Sequence, residues 1–248
     1  MSKVVIVTGA SRGIGESIVR RLLKADAVVI GVSRSKEALE ALAKENKNFQ
    51  YVAGDVTDES VTRQAFDMAA KLNRLDGIVF NAGVLEPVER LENATVNEWK
   101  KLYDINFFSM IPLIQLSIPM LRESNGKVVF VSSGASKSHY QAWGAYGSSK
   151  AAMDHLAGTL ATEEPSIQSL SVEPGVVDTQ MQTNIRTLHK DPMGDFHNKF
   201  IDLHKSGNLV KPEIPASVYA NLVLRGWSKD INGKSLRYSV DELKSYLD

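Results

Sequence analysis

Six short runs rich in Val, Ile and other strand formers punctuate the chain, at Lys3–Thr8, Ala27–Ser33, Phe49–Gly54, Gly77–Phe80, Lys127–Ser133 and Ser169–Glu173. Between them lie stretches whose apolar residues recur at helical spacing, among them Ile14–Leu23, Lys36–Ala43 and Val61–Leu72. A strand with one wet face alternates apolar and polar residues. These runs are apolar nearly throughout, so both of their faces must be covered. Strands alternating with helices in this way predict an α/β fold, a single doubly wound parallel sheet with right-handed crossovers and helices flanking both faces. A chain of 248 residues can bury most of the surface that its unfolded form exposes, so such a sheet needs no cross-links. With no repeat, low-complexity stretch or break in composition, residues 1–248 are expected to form one domain. The one irregular region is 180–212, which is polar, loop-rich and holds three of the five histidines. It follows a strand end, where open α/β sheets bind ligands, and is expected to form a lid over the substrate.

Composition removes several classes of function. The chain has no cysteine, which excludes disulfides, thiolate metal sites and cysteine nucleophiles and fits a reducing, cytoplasmic setting. Twenty-nine basic residues balance 29 acidic ones, so no broad field draws nucleic acid or anionic membrane. No signal peptide is expected, because Val4–Val7 reads as a strand almost from the first residue. The longest apolar run, Phe107–Leu121, is interrupted by Ser109, Pro112, Gln115, Ser117 and Pro119 and reads as a buried or subunit-contact helix rather than a membrane span. His189, His197 and His204 lack metal-ligand spacing, and no metal site is expected.

Directly after the first strand comes Thr8-Gly9-Ala10-Ser11-Arg12-Gly13-Ile14-Gly15, and then a helix. Glycines there permit a tight turn, let backbone approach a pyrophosphate and let the helix pack close to the sheet, while the helix N-terminus offers N–H groups to the anion. A site for NAD wants a carboxylate at the end of the second strand, about 20 residues on, to hold the ribose 2′-hydroxyl. This chain has Ser33 and Arg34 instead. A carboxylate would repel a 2′-phosphate, whereas Arg34 can grip one, with Arg12 reaching it from the glycine loop. The reading is therefore NADPH over NADH. Asp55-Val56 after the third strand and Asn81-Ala82-Gly83 after the fourth continue a line of small or polar strand ends along one rim.

Tyr146 and Lys150 stand four apart in a segment that reads as a helix, so they share a face, and Ser133 ends the strand upstream. Ser132 points to the opposite side of that strand from Ser133. A serine, twelve intervening residues and then Tyr-x-x-x-Lys resemble the signature of the short-chain dehydrogenase/reductase family, whose fold is a Rossmann-type sheet. The resemblance spans nearly the whole chain. It takes in the glycine loop, Asp55-Val56, Asn81-Ala82-Gly83, Asn106 in the fourth helix, and Pro174-Gly175 followed by Thr179. Phe80 departs from it, standing where the family often has a first asparagine. The resemblance implies that Tyr146 gives a proton to a carbonyl oxygen as hydride arrives at carbon, and that Ser133 holds that oxygen. Lys150 would bind the nicotinamide ribose, Asn106 would hold a relay water, and the backbone after Pro174, with Val176 and Thr179, would orient the carboxamide. A free tyrosine titrates near ~10, so the Lys150 ammonium is expected to lower it.

Within the family the chain looks most like the benzil reductase and sepiapterin reductase branch, on Asn81–Val88, Val131–Ser136, Trp143–Tyr146 and Pro174–Met181. That likeness implies reduction of one carbonyl of a 1,2-diketone. Leu85, Ala135, Tyr140, Trp143, Val176, Met181 and Phe196 are expected to line an apolar, aromatic pocket. Two other readings stand beside it: an alcohol dehydrogenase running oxidatively, and an NADPH-binding sensor without turnover. As this family commonly does, the apolar helices around Phe107–Leu121 and Ala151–Leu160 would pair copies of the chain into a homodimer or homotetramer.

Overall fold

The computed structural model describes residues 2–248; Met1, counted in the expected domain, lies outside them. Seven strands, β1 (Val4–Thr8), β2 (Val28–Ser33), β3 (Phe49–Ala53), β4 (Gly77–Phe80), β5 (Lys127–Val131), β6 (Gln168–Glu173) and β7 (Ser235–Arg237), form one sheet. Its order is β3-β2-β1-β4-β5-β6-β7, and every neighbouring pair is parallel. The order reverses direction between β1 and β4, which opens a crevice at the carboxyl ends of these strands. Ten α-helices connect and cover the strands: α1 (Gly13–Lys24), α2 (Lys36–Glu45), α3 (Glu59–Lys71), α4 (Val96–Tyr103), α5 (Met110–Ser124), α6 (Gly144–Glu163), α7 (Gln180–Leu188), α8 (Lys190–Met193), α9 (Phe196–Lys205) and α10 (Glu213–Arg225).

Both faces of the sheet are dry, as its continuous apolar strands require. Because side chains alternate along a strand, Val5, Val7, Val29, Val129 and Leu170 meet one layer, built on Ile18 and Leu22 of α1 and Val218 and Leu222 of α10. Ile6, Ile30, Ile78, Val128 and Phe130 meet the other, built on Ala65 of α3, Leu113 of α5 and Met153 of α6. Helix starts carry local signals. Asp58 accepts from the N–H of Ser60 at the head of α3, and Thr95 and Glu98 form a reciprocal capping box at the head of α4.

The structure departs from the sequence reading at four places. β7 is a seventh strand. It has only three residues and no β-branched side chain, and it exists by pairing with β6 from Ser171 opposite Ser235 to Glu173 opposite Arg237. Residues 180–212 are largely helical, as α7, α8 and α9; their polar majority hid that pattern. Asn106 lies not within a regular fourth helix but in a π-helical turn, Asp104–Phe108, between α4 and α5. Finally, the helical run is longer than Phe107–Leu121: α4, the π-helical turn and α5 together span Val96–Ser124, 29 residues, long and apolar enough by length and composition to cross a bilayer. Pro119 sits inside α5 without ending it. The buried side chains Leu113, Ile114 and Leu121 of this run pack on the sheet, as those of a core-facing helix do.

Candidate active site

The carboxyl ends of the strands border a cleft of about 540 Å³. At one end stands the glycine loop. Gly9 and Gly13 have φ of 67° and 55°, a left-handed backbone that side chains disfavour. Gly15 is needed for another reason: it does not border the cleft, and a Cβ there would lie 2.0 Å from the Gly9 carbonyl oxygen. The loop is tied to β4 by Asn81, whose Nδ2 donates to the carbonyls of Thr8 and Gly9, both at 3.0 Å. In return the N–H groups of Asn81 and Ala82 donate to Thr8 Oγ1. No side chain caps α1, so its first N–H groups are left for a ligand.

The end of β2 meets the same loop, with the Ser11 and Ser33 hydroxyls 2.7 Å apart. Arg12 and Arg34 border the cleft beside them. Arg34 is 65% exposed, and its guanidinium lies 3.9 Å from the Asp55 carboxylate. Asp55 also accepts from the N–H and hydroxyl of Thr57, which fixes the turn after β3. Val56, Gly83, Pro174, Gly175, Val176 and Thr179 complete this half of the cleft. A dinucleotide fits these groups: an uncapped helix start, a loop in which a Cβ on Gly9 would meet Asn81 Nδ2 at 2.6 Å, and two cations at the far end.

Tyr146, Lys150 and Ser133 gather in the middle of the cleft. Tyr146 and Lys150 ride on α6, and Lys150 Nζ is 5.8 Å from the centre of the Tyr146 ring. Nζ donates to the Val131 carbonyl at 2.8 Å, which holds the buried ammonium against β5. Burial pushes Lys150 down to about 8, with Asp154 acting in the opposite sense. Burial pushes the Tyr146 phenol up, and the Ser133 hydroxyl partly opposes it. The expectation that the Lys150 ammonium lowers Tyr146 is thus corrected: burial disfavours the phenolate and raises it. Ser133 Oγ accepts from the N–H of Ala135 at 3.2 Å, leaving its own hydrogen for another acceptor. Ser132 also borders the cleft, but its hydroxyl is sealed from solvent without a hydrogen-bond partner.

Asn106 stands behind the cleft and is fully buried. Its Oδ1 accepts from the N–H of Val84, and Nδ2 donates to the Val84 carbonyl, both at 2.9 Å, and to Ser149 Oγ at 3.2 Å. These bonds tie the π-helical turn to the loop after β4 and to α6. Leu85, Ala135, Tyr140, Trp143, Val176 and Met181 line the remaining space as the sequence suggests. Phe196 does not. It is exposed, and Phe200, one helical turn on, takes the place at the cleft, stacked 5.3 Å from Trp143. Sequence reasoning missed Ile185, Lys199, Phe200 and Leu203 from the 180–212 segment, and Arg237 from β7. The i, i+4 pair Phe196 and Phe200 was the available signal, but not the helix phase.

The 180–212 segment is tied down where it meets the body. Gln141 Nε2 donates to the Pro192 carbonyl at 2.9 Å, and Val210 pairs with Val177 beyond the end of β6. His197 is buried, with Nε2 donating to the Arg186 carbonyl at 3.0 Å, which joins α9 to α7. Among the described residues no three His, Asp or Glu side chains gather as metal ligands.

This sheet, cleft and grouping define an oxidoreductase class, and comparison with known proteins agrees. The family model described as short chain dehydrogenase matches residues 3–190, and the chain belongs to that family. The crystal structure of the Saccharomyces cerevisiae short chain dehydrogenase/reductase YIR035C superposes with a TM-score of 0.98 at 45% identity, covering 100% of both chains. The benzil reductase ((S)-benzoin forming) IRC24 of Saccharomyces cerevisiae is 42% identical over 98% of this chain and 98% of its own. The benzil reductase ((S)-benzoin forming) of Bacillus subtilis is 32% identical over 89% of this chain and 93% of its own. The chain is therefore an oxidoreductase of the benzil reductase-like branch.

Proposed function

We propose that the chain is an NADPH-dependent carbonyl reductase acting on aromatic ketones, 1,2-diketones above all. The observation that carries this reading is a single cleft in which Arg12, Arg34, Ser133, Tyr146 and Lys150 share one wall system with Tyr140, Trp143 and Phe200. The two relatives named benzil reductase support the substrate class. NADPH, when bound, supplies the hydride. Gly9, Ser11, Gly13, Ile14 and the start of α1 would hold its pyrophosphate, Ser33, Arg12 and Arg34 its 2′-phosphate, and Asp55, Val56, Asn81, Ala82 and Gly83 its rings and ribose. Pro174, Gly175, Val176 and Thr179 would orient the carboxamide.

Ser133 donates its free hydrogen to the substrate carbonyl, and Tyr146 gives that oxygen a proton as negative charge develops on it. A phenol whose pKa is raised by burial keeps its proton at neutral pH, which suits the reductive direction. Lys150, held on the Val131 carbonyl, supports the cofactor ribose, and Asn106 fixes the backbone around Val84 that borders the site. Steady-state loss of NADPH absorbance with benzil tests the reading.

The Lys150 charge sets a pH limit. Its ammonium is lost as pH rises through about 8, so kcat/KM for NADPH is expected to fall above that pH. In Lys150→Met this alkaline limb should vanish; a limb that persists in the variant would assign it to another group.

We also propose that copies of the chain pair through the helical run Val96–Ser124. Only 33% of its most apolar stretch is buried, and Phe108 stands 54% exposed. Multi-angle light scattering should return a dimer or tetramer; a monomer at micromolar concentration contradicts this.

A further inference from the structure

The substrate half of the cleft includes a basic group that the reductase reading leaves unused. Tyr140, Trp143 and Tyr146 make a continuous aromatic wall, with ring centres 4.9 Å apart from Tyr140 to Trp143 and 5.7 Å from Trp143 to Tyr146. Phe200 completes it, 6.0 Å from Tyr140. At the end of the wall away from Tyr146, Lys199 of α9 borders the cleft. Its Nζ sits 4.9 Å from the centre of the Tyr140 ring and donates to Tyr140 Oη at 3.1 Å.

Among the described residues, no carboxylate lies within 4.0 Å of this ammonium. Asp195, just before α9, and Asp202 on it do not pair with the ammonium, and Glu173, also bordering the cleft, is occupied by Lys137 at 2.6 Å. An ammonium carries three donors, and Tyr140 takes one.

We infer that Lys199 selects substrates that carry a carboxylate remote from the reacting carbonyl, with an aromatic ring between the two; this rests on the reductase reading above. The wall fixes the spacing. A carbonyl at Ser133 and Tyr146 lies beyond both Trp143 and Tyr140 from the ammonium, so a carboxylate directly on the carbonyl carbon falls short. One at the far edge of an aryl group reaches. The aryl ring packs on Trp143 and Phe200, and the carboxylate takes the free N–H groups of Lys199 at the mouth, where no acidic partner competes.

The test uses 4-carboxybenzil and its methyl ester with NADPH, on the parent chain and on Lys199→Met, which keeps the apolar stem. The parent is expected to prefer the acid. In the variant the ratio of kcat/KM for acid over ester should fall about fivefold, in keeping with a partly exposed ion pair, while the ester changes less than about twofold. Salt should lower the ratio in the parent and leave the variant flat. If both substrates are reduced with the same ratio in both proteins, Lys199 does not select and the reductase reading stands. If neither substrate nor benzil is reduced, both fall together.

Discussion

Replacing Tyr146 by Phe is expected to lower kcat for benzil by about 10²–10⁴, the range that a positioned general acid contributes. The substitution removes one oxygen and little else. The ring remains, still edge-on to Trp143 at 5.7 Å and still buried in the apolar cluster with Leu85, Ala135 and Ile185. Fold and cleft should therefore survive, and thermal unfolding should show it. NADPH affinity should weaken by no more than about tenfold, the loss of one neutral hydrogen bond of ~0.5–1.5 kcal/mol. Steady-state kinetics beside a fluorescence titration with NADPH separates the two effects. A kcat within about threefold of the parent would remove Tyr146 from the chemistry and turn attention to Ser133.

The second large effect concerns the cofactor. In a double variant, Arg12→Ala with Arg34→Ala, kcat/KM for NADPH should fall by about 10², and that for NADH should stay within about threefold. Hydrogen bonds to charged groups contribute ~1.5–3 kcal/mol each, and ~1.4 kcal/mol is a factor of ten. The lower end applies, because Arg34 is 65% exposed and shares its guanidinium with Asp55 at 3.9 Å. The preference is read as the ratio of the two cofactors' kcat/KM values, which cancels any general damage to the cleft. Equal losses with both cofactors would place the arginines elsewhere than at the 2′-phosphate.

The cofactor half of the cleft was legible in the chain because geometry dictates residue type there. Gly9 and Gly13 need a left-handed backbone, Gly15 admits no Cβ, and Asn81 must bond two carbonyls across the loop. Those demands leave a pattern fixed in spacing. The Ser133, Tyr146 and Lys150 grouping is legible for the same reason, since strand end and helix face are both set by spacing.

What stayed hidden depends on tertiary context. β7 has no propensity of its own and is made by the edge of β6, so Arg237 could not be placed at the rim. The choice of Phe200 over Phe196 hangs on the phase of α9, which turns Phe200 inward and leaves Phe196 exposed. Tyr146 is raised rather than lowered because burial, which no spacing reveals, disfavours the phenolate. Nothing in the spacing marks Lys199, which only the fold brings to Tyr140.

One measurement bears most directly on the central claim: the rate of NADPH oxidation by the purified chain with benzil, with NADH run in parallel. The account predicts turnover with NADPH, a kcat/KM at least about tenfold lower with NADH, as one charge-assisted bond to the 2′-phosphate implies, and formation of the hydroxyketone. Binding of NADPH with no consumption of benzil or any other aryl ketone would contradict it and leave a nucleotide-binding protein on a reductase fold.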